Sequence, residues 1–292
     1  MSWKEDANRR FAYIKRARNG LAKALASFNR AIYTTALERI LGLNTDAGGK
    51  LIVSTYNITY ANQTGLVVQQ QIQRENRTLF DVLIRGMKRL FGLNTSYFGN
   101  MGDLRGVDLT AEQKLFLSYG YDVRQGTLIA GGYFAESLAG NPAAGQIVKL
   151  MNDAINAKMT LAEFRRTFKQ FFQPAGANGA IERHFLRWSG DFYQQFDRLA
   201  QLEFKDALGL THAIYAGTIV DDSREFCMAR NNLLYTEPEI LLWNGQDWQG
   251  KIPGMDVRIA CGGYNCRHSL NWISDELAET LIQRGAKLNK YQ

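Results

Sequence analysis

The chain has 292 residues, of which 46% are apolar and 22% charged, with 4 Pro, 3 Cys and a formal net charge of +7. These proportions exclude a disordered, collagen-like or low-complexity chain, and the length suffices to bury one large core or two modest ones. No run of about 18 apolar residues occurs, which excludes a membrane-spanning helix, and the charged start MSWKEDANRR lacks the apolar stretch of a secretory signal.

The first 45 residues read as one long amphipathic helix. Phe11, Ile14, Leu21, Leu25, Phe28 and Ile32 follow three- and four-residue steps, interrupted only by Arg18. Such a stripe needs a partner to cover it. Residues 1–30 also carry eight basic groups and two acidic ones, so their balance of +6 is nearly the whole excess. A basic arm of Arg9, Arg10, Lys15, Arg16, Arg18 and Lys23 points to a polyanion or an acidic protein surface; a solvated helix face is the alternative. The helix should stop at Gly42, in a Leu-Gly-Leu-Asn-Thr phrase suited to a left-handed cap. A similar phrase at Phe91–Thr95 predicts a second helix end.

Residues 51–65 fit both a strand and a helix period, with the balance toward helix, and 66–91 are helical. The stretch 92–108 holds turn formers and reads as a loop. Thr110-x-x-Gln113 and Thr160-x-x-Glu163 fit capping boxes, the second with Met159 and Phe164 as its hydrophobic staple. Six Gly between 119 and 145 predict short helices there. A loop at 173–179 leads into a helix over 180–208, with a seam of Ile181, Phe185, Trp188, Phe192, Phe196 and Leu199 and with Arg and Asp on the other face. The texture then changes. Ala213–Val220 and Asp256–Cys261 read as β runs, separated by a third capping box at Thr236–Glu239 with Tyr235 and Ile240 as its staple. The expected fold is mainly α: a basic N-terminal helix (1–45), an elongated helical body (46–210) and a small α+β domain (211–292).

All three Cys fall between 227 and 266, and their odd number argues against a disulfide framework and for a soluble protein of a reducing compartment. Cys227, Cys261, Cys266 and His268 compose a Cys₃His zinc set, although no tight Cys-x₂-Cys pair is present. Buried reduced thiols are the plainer reading. Asp221, Asp222, Arg224 and Glu225 could serve a hard metal or acid–base chemistry, or simply favour a helix N-terminus. The pair Gly262-Gly263 permits positive φ or close backbone approach. Trp243 and Trp248, with Asn265 and with Arg224 and Arg267 paired to those acids, would hold the small domain together.

The string Thr218-Ile-Val-Asp-Asp-Ser-Arg-Glu-Phe-Cys227, followed by Tyr235-Thr236, Glu239-Ile240, Trp243, Trp248, Gly250-Lys251 and Gly262-Gly-Tyr-Asn-Cys-Arg-His268, resembles the C-terminal signature of phage minor head proteins, the Mu F-like head-morphogenesis family. The likeness spans about residues 211–273. It implies a structural virion protein at low copy inside the head of a tailed phage, made in the host cytoplasm and associated with portal, capsid or scaffold proteins. It also implies a place near packaged genomic DNA, which the basic arm would contact non-specifically. Many members of that family end the signature in Cys-Arg-Cys; His268 stands there in this chain, which excludes a four-thiolate site. The resemblance implies no catalytic activity. The alternative is a metal-dependent hydrolase or nuclease using Asp221, Asp222, Glu225 and His268, with no familiar catalytic pattern to support it.

Overall fold

The computed structural model describes residues 3–139, 142–173 and 180–285. In chain order come α1 (Trp3–Ile40), α2 (Thr55–Gly99), α3 (Val107–Ser118), β1 (Tyr121–Asp122), β2 (Thr127–Leu128), α4 (Tyr133–Ala139), α5 (Ala143–Asn156), α6 (Leu161–Phe172) and α7 (Ala180–Leu208). There follow β3 (His212–Gly217), α8 (Glu225–Arg230), β4 (Leu233–Thr236), α9 (Glu237–Leu242), α10 (Val257–Ala260), β5 (His268–Ile273) and α11 (Asp275–Gln283). The protein is mainly helical, with a small α+β region near its C-terminus. The chain divides into two compact units, one from residues 1–18, 85–129 and 190–292, the other from 19–84 and 130–189.

The first unit contains an antiparallel sheet of order β4-β3-β5. Every residue of β5 is buried. Ile214, Ala216 and Leu234 from the sheet pack with Ile273 and with Ala278 of α11. Aromatic rings fill the core around α7: Phe204 stacks on Phe98 at 5.3 Å, and Phe196 meets Phe116 edge-on at 5.6 Å. A buried polar network also runs through this unit. Arg10 donates to Asn94 Oδ1 at 2.8 Å and to Asn271 Oδ1, while Asn94 Nδ2 donates to Asp197 Oδ1 at 2.8 Å. Buried polar groups are costly unless paired, and each residue of this network finds a partner, although Arg10 Nε makes no hydrogen bond.

In the second unit, Tyr33 stacks on Phe168 at 5.7 Å and meets Phe172 edge-on at 5.3 Å. The capping box at Thr160 is formed: its hydroxyl accepts from the Glu163 N–H at 3.2 Å, and its own N–H donates to the Glu163 carboxylate at 2.9 Å. Gly42 follows the end of α1, and a Cβ there would lie 2.2 Å from Tyr60 Oη. Close approach, rather than a left-handed cap, is what requires glycine at 42.

Several sequence expectations need correction. The second Leu-Asn-Thr phrase does not end a helix: α2 runs through Gly92 to Gly99, with Asn94 fully buried in the polar network. The expected loop therefore shrinks to residues between Gly99 and Val107. Thr110 is no N-cap, because α3 begins at Val107 and the Thr110 hydroxyl donates to Gly106 O at 2.9 Å. Asp256–Cys261 is not a strand; Asp256 caps α10 by accepting the Arg258 N–H at 2.8 Å. Asp197 and Arg198, on the polar face opposite the α7 seam, are themselves buried, at 0% and 3% exposure. Residues 174–179 of the expected loop lie outside the described residues, as do the side chains of Ile181, Phe185 and Trp188.

The stripe of α1 is covered by the protein itself. Ile14, Leu21, Leu25, Phe28 and Ile32 are all buried and Phe11 is half-buried. It offers no apolar seam to another protein. That removes the argument for a docking partner drawn from it.

Candidate metal centre and its cleft

β3 and β5 pair with Tyr215 opposite Leu270 and Gly217 opposite His268. A Cβ on Gly217 would lie 2.5 Å from both Arg267 O and His268 Cα, so glycine lets β5 begin close against β3. Alternate residues of a strand share a face, and the Tyr215 and His268 rings stack there at 5.1 Å, 8° from parallel. α8 supplies Cys227. The turn before β5 supplies Cys266, and it is tight: φ is +49° at Cys261, +95° at Gly263 and +56° at Asn265. Its two glycines answer to close approach. A Cβ on Gly262 would stand 2.3 Å from Cys227 Sγ, and one on Gly263 would stand 1.9 Å from Gly250 O.

Cys227, Cys266 and His268 converge, with one donor atom from each within 4.8 Å of the others. The sulfurs are 3.8 Å apart, and His268 Nδ1 lies 3.9 Å from Cys266 Sγ. Tyr215 Oη is 3.3 Å from Cys227 Sγ and 3.7 Å from Cys266 Sγ. The N–H groups of Gly262 and His268 donate to Cys266 Sγ at 3.2 and 3.5 Å. These surroundings separate the two thiols. A bond from Cys227 pulls the Cys266 thiol well below its ordinary value of 9.0; burial opposes this, while His268 and the Arg198 charge reinforce it. The same S–H···S hydrogen bond and burial push the Cys227 thiol up, so Cys266 is the more acidic of the two. Burial raises the Tyr215 hydroxyl well above 10.0, keeping it a donor.

Cys261 does not join the group, although it too is buried. Burial pushes its thiol up to about 12. The expected four-ligand set is therefore reduced to three by the position of Cys261 at the end of α10. Sequence reasoning missed Arg198. This side chain of α7 donates to the main-chain carbonyls of Ile259 at 2.8 Å, Ala260 at 3.3 Å, Cys266 at 2.8 Å and His268 at 2.5 Å. It clamps the turn from below, and the nearby sulfurs hold its guanidinium protonated against the burial that works to discharge it. Nothing in the sequence set it apart, since α7 also carries Arg183, Arg187 and Lys205.

The remaining residues singled out from the sequence scatter. Trp243 is fully buried, edge-on to Tyr215 at 5.7 Å and to Tyr235 at 4.8 Å. Trp248 stacks on Phe226 at 4.0 Å, and its Nε1 donates to Gly262 O at 3.1 Å. The Asn265 N–H donates to Asp191 at 2.8 Å. The expected ion-pair network is slight: Arg267 stands 3.9 Å from Asp222, and Arg224 instead donates to Tyr264 O at 2.7 Å. Asp221, Asp222 and Glu225 are exposed. Asp222, Arg224 and Arg267 line a cleft of about 460 Å³ together with Cys227, Cys266 and His268, whereas Asp221 and Glu225 do not. Among the basic residues of α1, Arg9, Lys15, Arg16 and Lys23 are exposed and Arg18 is half-buried. Arg10, at 1% exposure, is withdrawn into the core network and belongs to no basic surface.

The chemistry open to this cluster is that of soft donors, two sulfurs and an imidazole, which suits a zinc-like ion far better than magnesium or calcium. No protein-family model matches the chain, and no significant match is found among curated proteins or solved structures.

Proposed function

We propose that this chain is a structural minor head protein of a tailed phage, associated with the portal and the capsid interior and in non-specific contact with packaged DNA. The proposal rests on the residues of the signature. Those from Thr218 to His268 that resemble head-morphogenesis proteins are spent on holding one small fold together. Trp243 and Trp248 pack on Tyr215 and Phe226, the paired glycines admit the Cys266 turn, and Arg198 ties that turn to α7. The hydrolase reading asks for Asp221, Asp222, Glu225 and His268 at one place. Asp221 and Glu225 lie outside the cleft that holds His268, and the remaining Asp222 faces Arg267, so the carboxylates do not form the pair that such chemistry uses.

Mass spectrometry of purified virions of the encoding phage tests this directly. The expected result is this chain at a few copies per particle, retained with the portal when the capsid is opened. Particles of normal composition that lack it would overturn the proposal.

A further inference from the structure

We propose that Cys227, Cys266 and His268 bind one zinc ion as a three-residue set, without Cys261, leaving the fourth coordination position to a ligand from the adjoining cleft. A tetrahedral zinc with Zn–S bonds of about 2.3 Å holds two sulfurs roughly 3.8 Å apart. The two sulfurs already stand at 3.8 Å. A pair of packed thiols would have much the same spacing, but it does not account for His268. That ring is 2% exposed, its Nδ1 lies 3.9 Å from Cys266 Sγ, and its Nε2 is buried with no hydrogen-bond partner. A polar ring atom is costly to bury unpaired, and a metal ion at the cluster gives the imidazole a bonding role. The N–H bonds from Gly262 and His268 to Cys266 Sγ are the outer contacts that orient and stabilise a metal-bound sulfur. Cys261 stands apart, so three ligands are available among the described residues rather than the closed four of a purely structural zinc.

Charge indicates what fills the fourth place. Two thiolates neutralise a divalent ion and the imidazole adds nothing. Arg198 holds the turn, and Arg224 and Arg267 line the cleft against the one carboxylate of Asp222, so the local surplus stays positive. The fourth ligand is therefore a small anion or hydroxide. This centre does not depend on the virion assignment, and its test is independent of it.

The full-length protein, purified without chelator, is assayed for metal, then stripped and titrated with Co²⁺ in place of Zn²⁺. We expect one zinc per chain as purified. At one equivalent of Co²⁺ we expect a sulfur-to-cobalt charge-transfer absorption, together with visible bands of a tetrahedral site. Cys261→Ser should keep the full stoichiometry, whereas Cys227→Ser and His268→Ala should lose metal to a chelator that the parent protein resists. Thiocyanate should shift the visible bands by entering the fourth position. Zinc near zero with no charge-transfer band on cobalt addition overturns the proposal, whether or not the variants fold. Loss of the metal in a folded Cys261→Ser protein, or bands unmoved by thiocyanate, overturns the three-residue, open form of it.

Discussion

Arg198 holds the Cys266 turn against α7 with a single planar group. Its hydrogen bonds to four carbonyls replace the water those carbonyls would otherwise bind, in a place that water does not reach. Methionine fills similar space but donates nothing, and Arg198→Met leaves several buried acceptors unpaired. We expect it to destabilise the protein by about 3 kcal/mol, read as a shift in the denaturant midpoint at constant m-value. A loss below about 1 kcal/mol would mean that the clamp carries little of the turn's stability. Gly262 offers a second residue-scale check. Its Cβ would press to 2.3 Å from Cys227 Sγ, closer than non-bonded atoms approach, so Gly262→Ala must push the sulfurs apart. The expected sign is faster reaction of the Cys227 thiol with a thiol reagent in the native state, measured against the parent protein.

Among the elements, those whose ends are written locally were legible in the sequence. Thr160 and Glu163 satisfy each other's backbone across three residues, and nothing remote changes that. Thr160→Ala should cost about 1 kcal/mol, measured by chemical denaturation, and Glu163→Gln less, since the amide can still accept the Thr160 N–H. The illegible elements are those decided at a distance. The phrase around Asn94 looks like a helix end, yet Asn94 is held mid-helix by Arg10, 84 residues away, and by Asp197. β5 does alternate, Ser269 and Asn271 against Leu270 and Trp272, but over so few residues that the pattern does not single it out, and its polar face is buried rather than exposed. Asp256–Cys261 has strand-forming residue types, but the Asp256 cap and the positive φ of Cys261 enclose a single helical turn. The cluster followed the same rule. Cys227, Cys266 and His268 were identifiable as donors, while the separation of Cys261 and the place of Arg198 depend on how α7 meets the turn.

At the scale of the whole molecule, charge acts through the few groups that the fold pairs and the many that it leaves in water. Glu237 joins Lys205 of α7 to Arg258 of α10, and Arg258 also grips Asp256 at 2.6 Å. Burial works to raise the Asp256 carboxyl, but the Arg258 bonds and charge outweigh it and hold it below 3.8. A carboxyl lowered on folding adds stability that is full above its unfolded value and is lost as pH falls through the folded one. Stability should therefore drop as pH falls below about 4, and Asp256→Asn should flatten part of that drop in acid denaturation curves. Under the proposed function, the exposed basic residues of α1 would act instead on a partner. Arg9, Lys15, Arg16 and Lys23 face solvent, while Arg10 is committed to the core. If the arm meets packaged DNA through its phosphates, duplex affinity should fall linearly in log–log form with salt, by about 0.9 per contact. Changing those four residues to Gln should reduce the slope by up to about 3.6, with no loss of thermal stability. Arg10→Gln should do the reverse, lowering stability by about 3 kcal/mol because the buried Asp197 loses its counter-charge, while the slope stays as it was. A slope unchanged by the four-residue variant would move any DNA contact away from α1, and would leave its basic face as a solvated one.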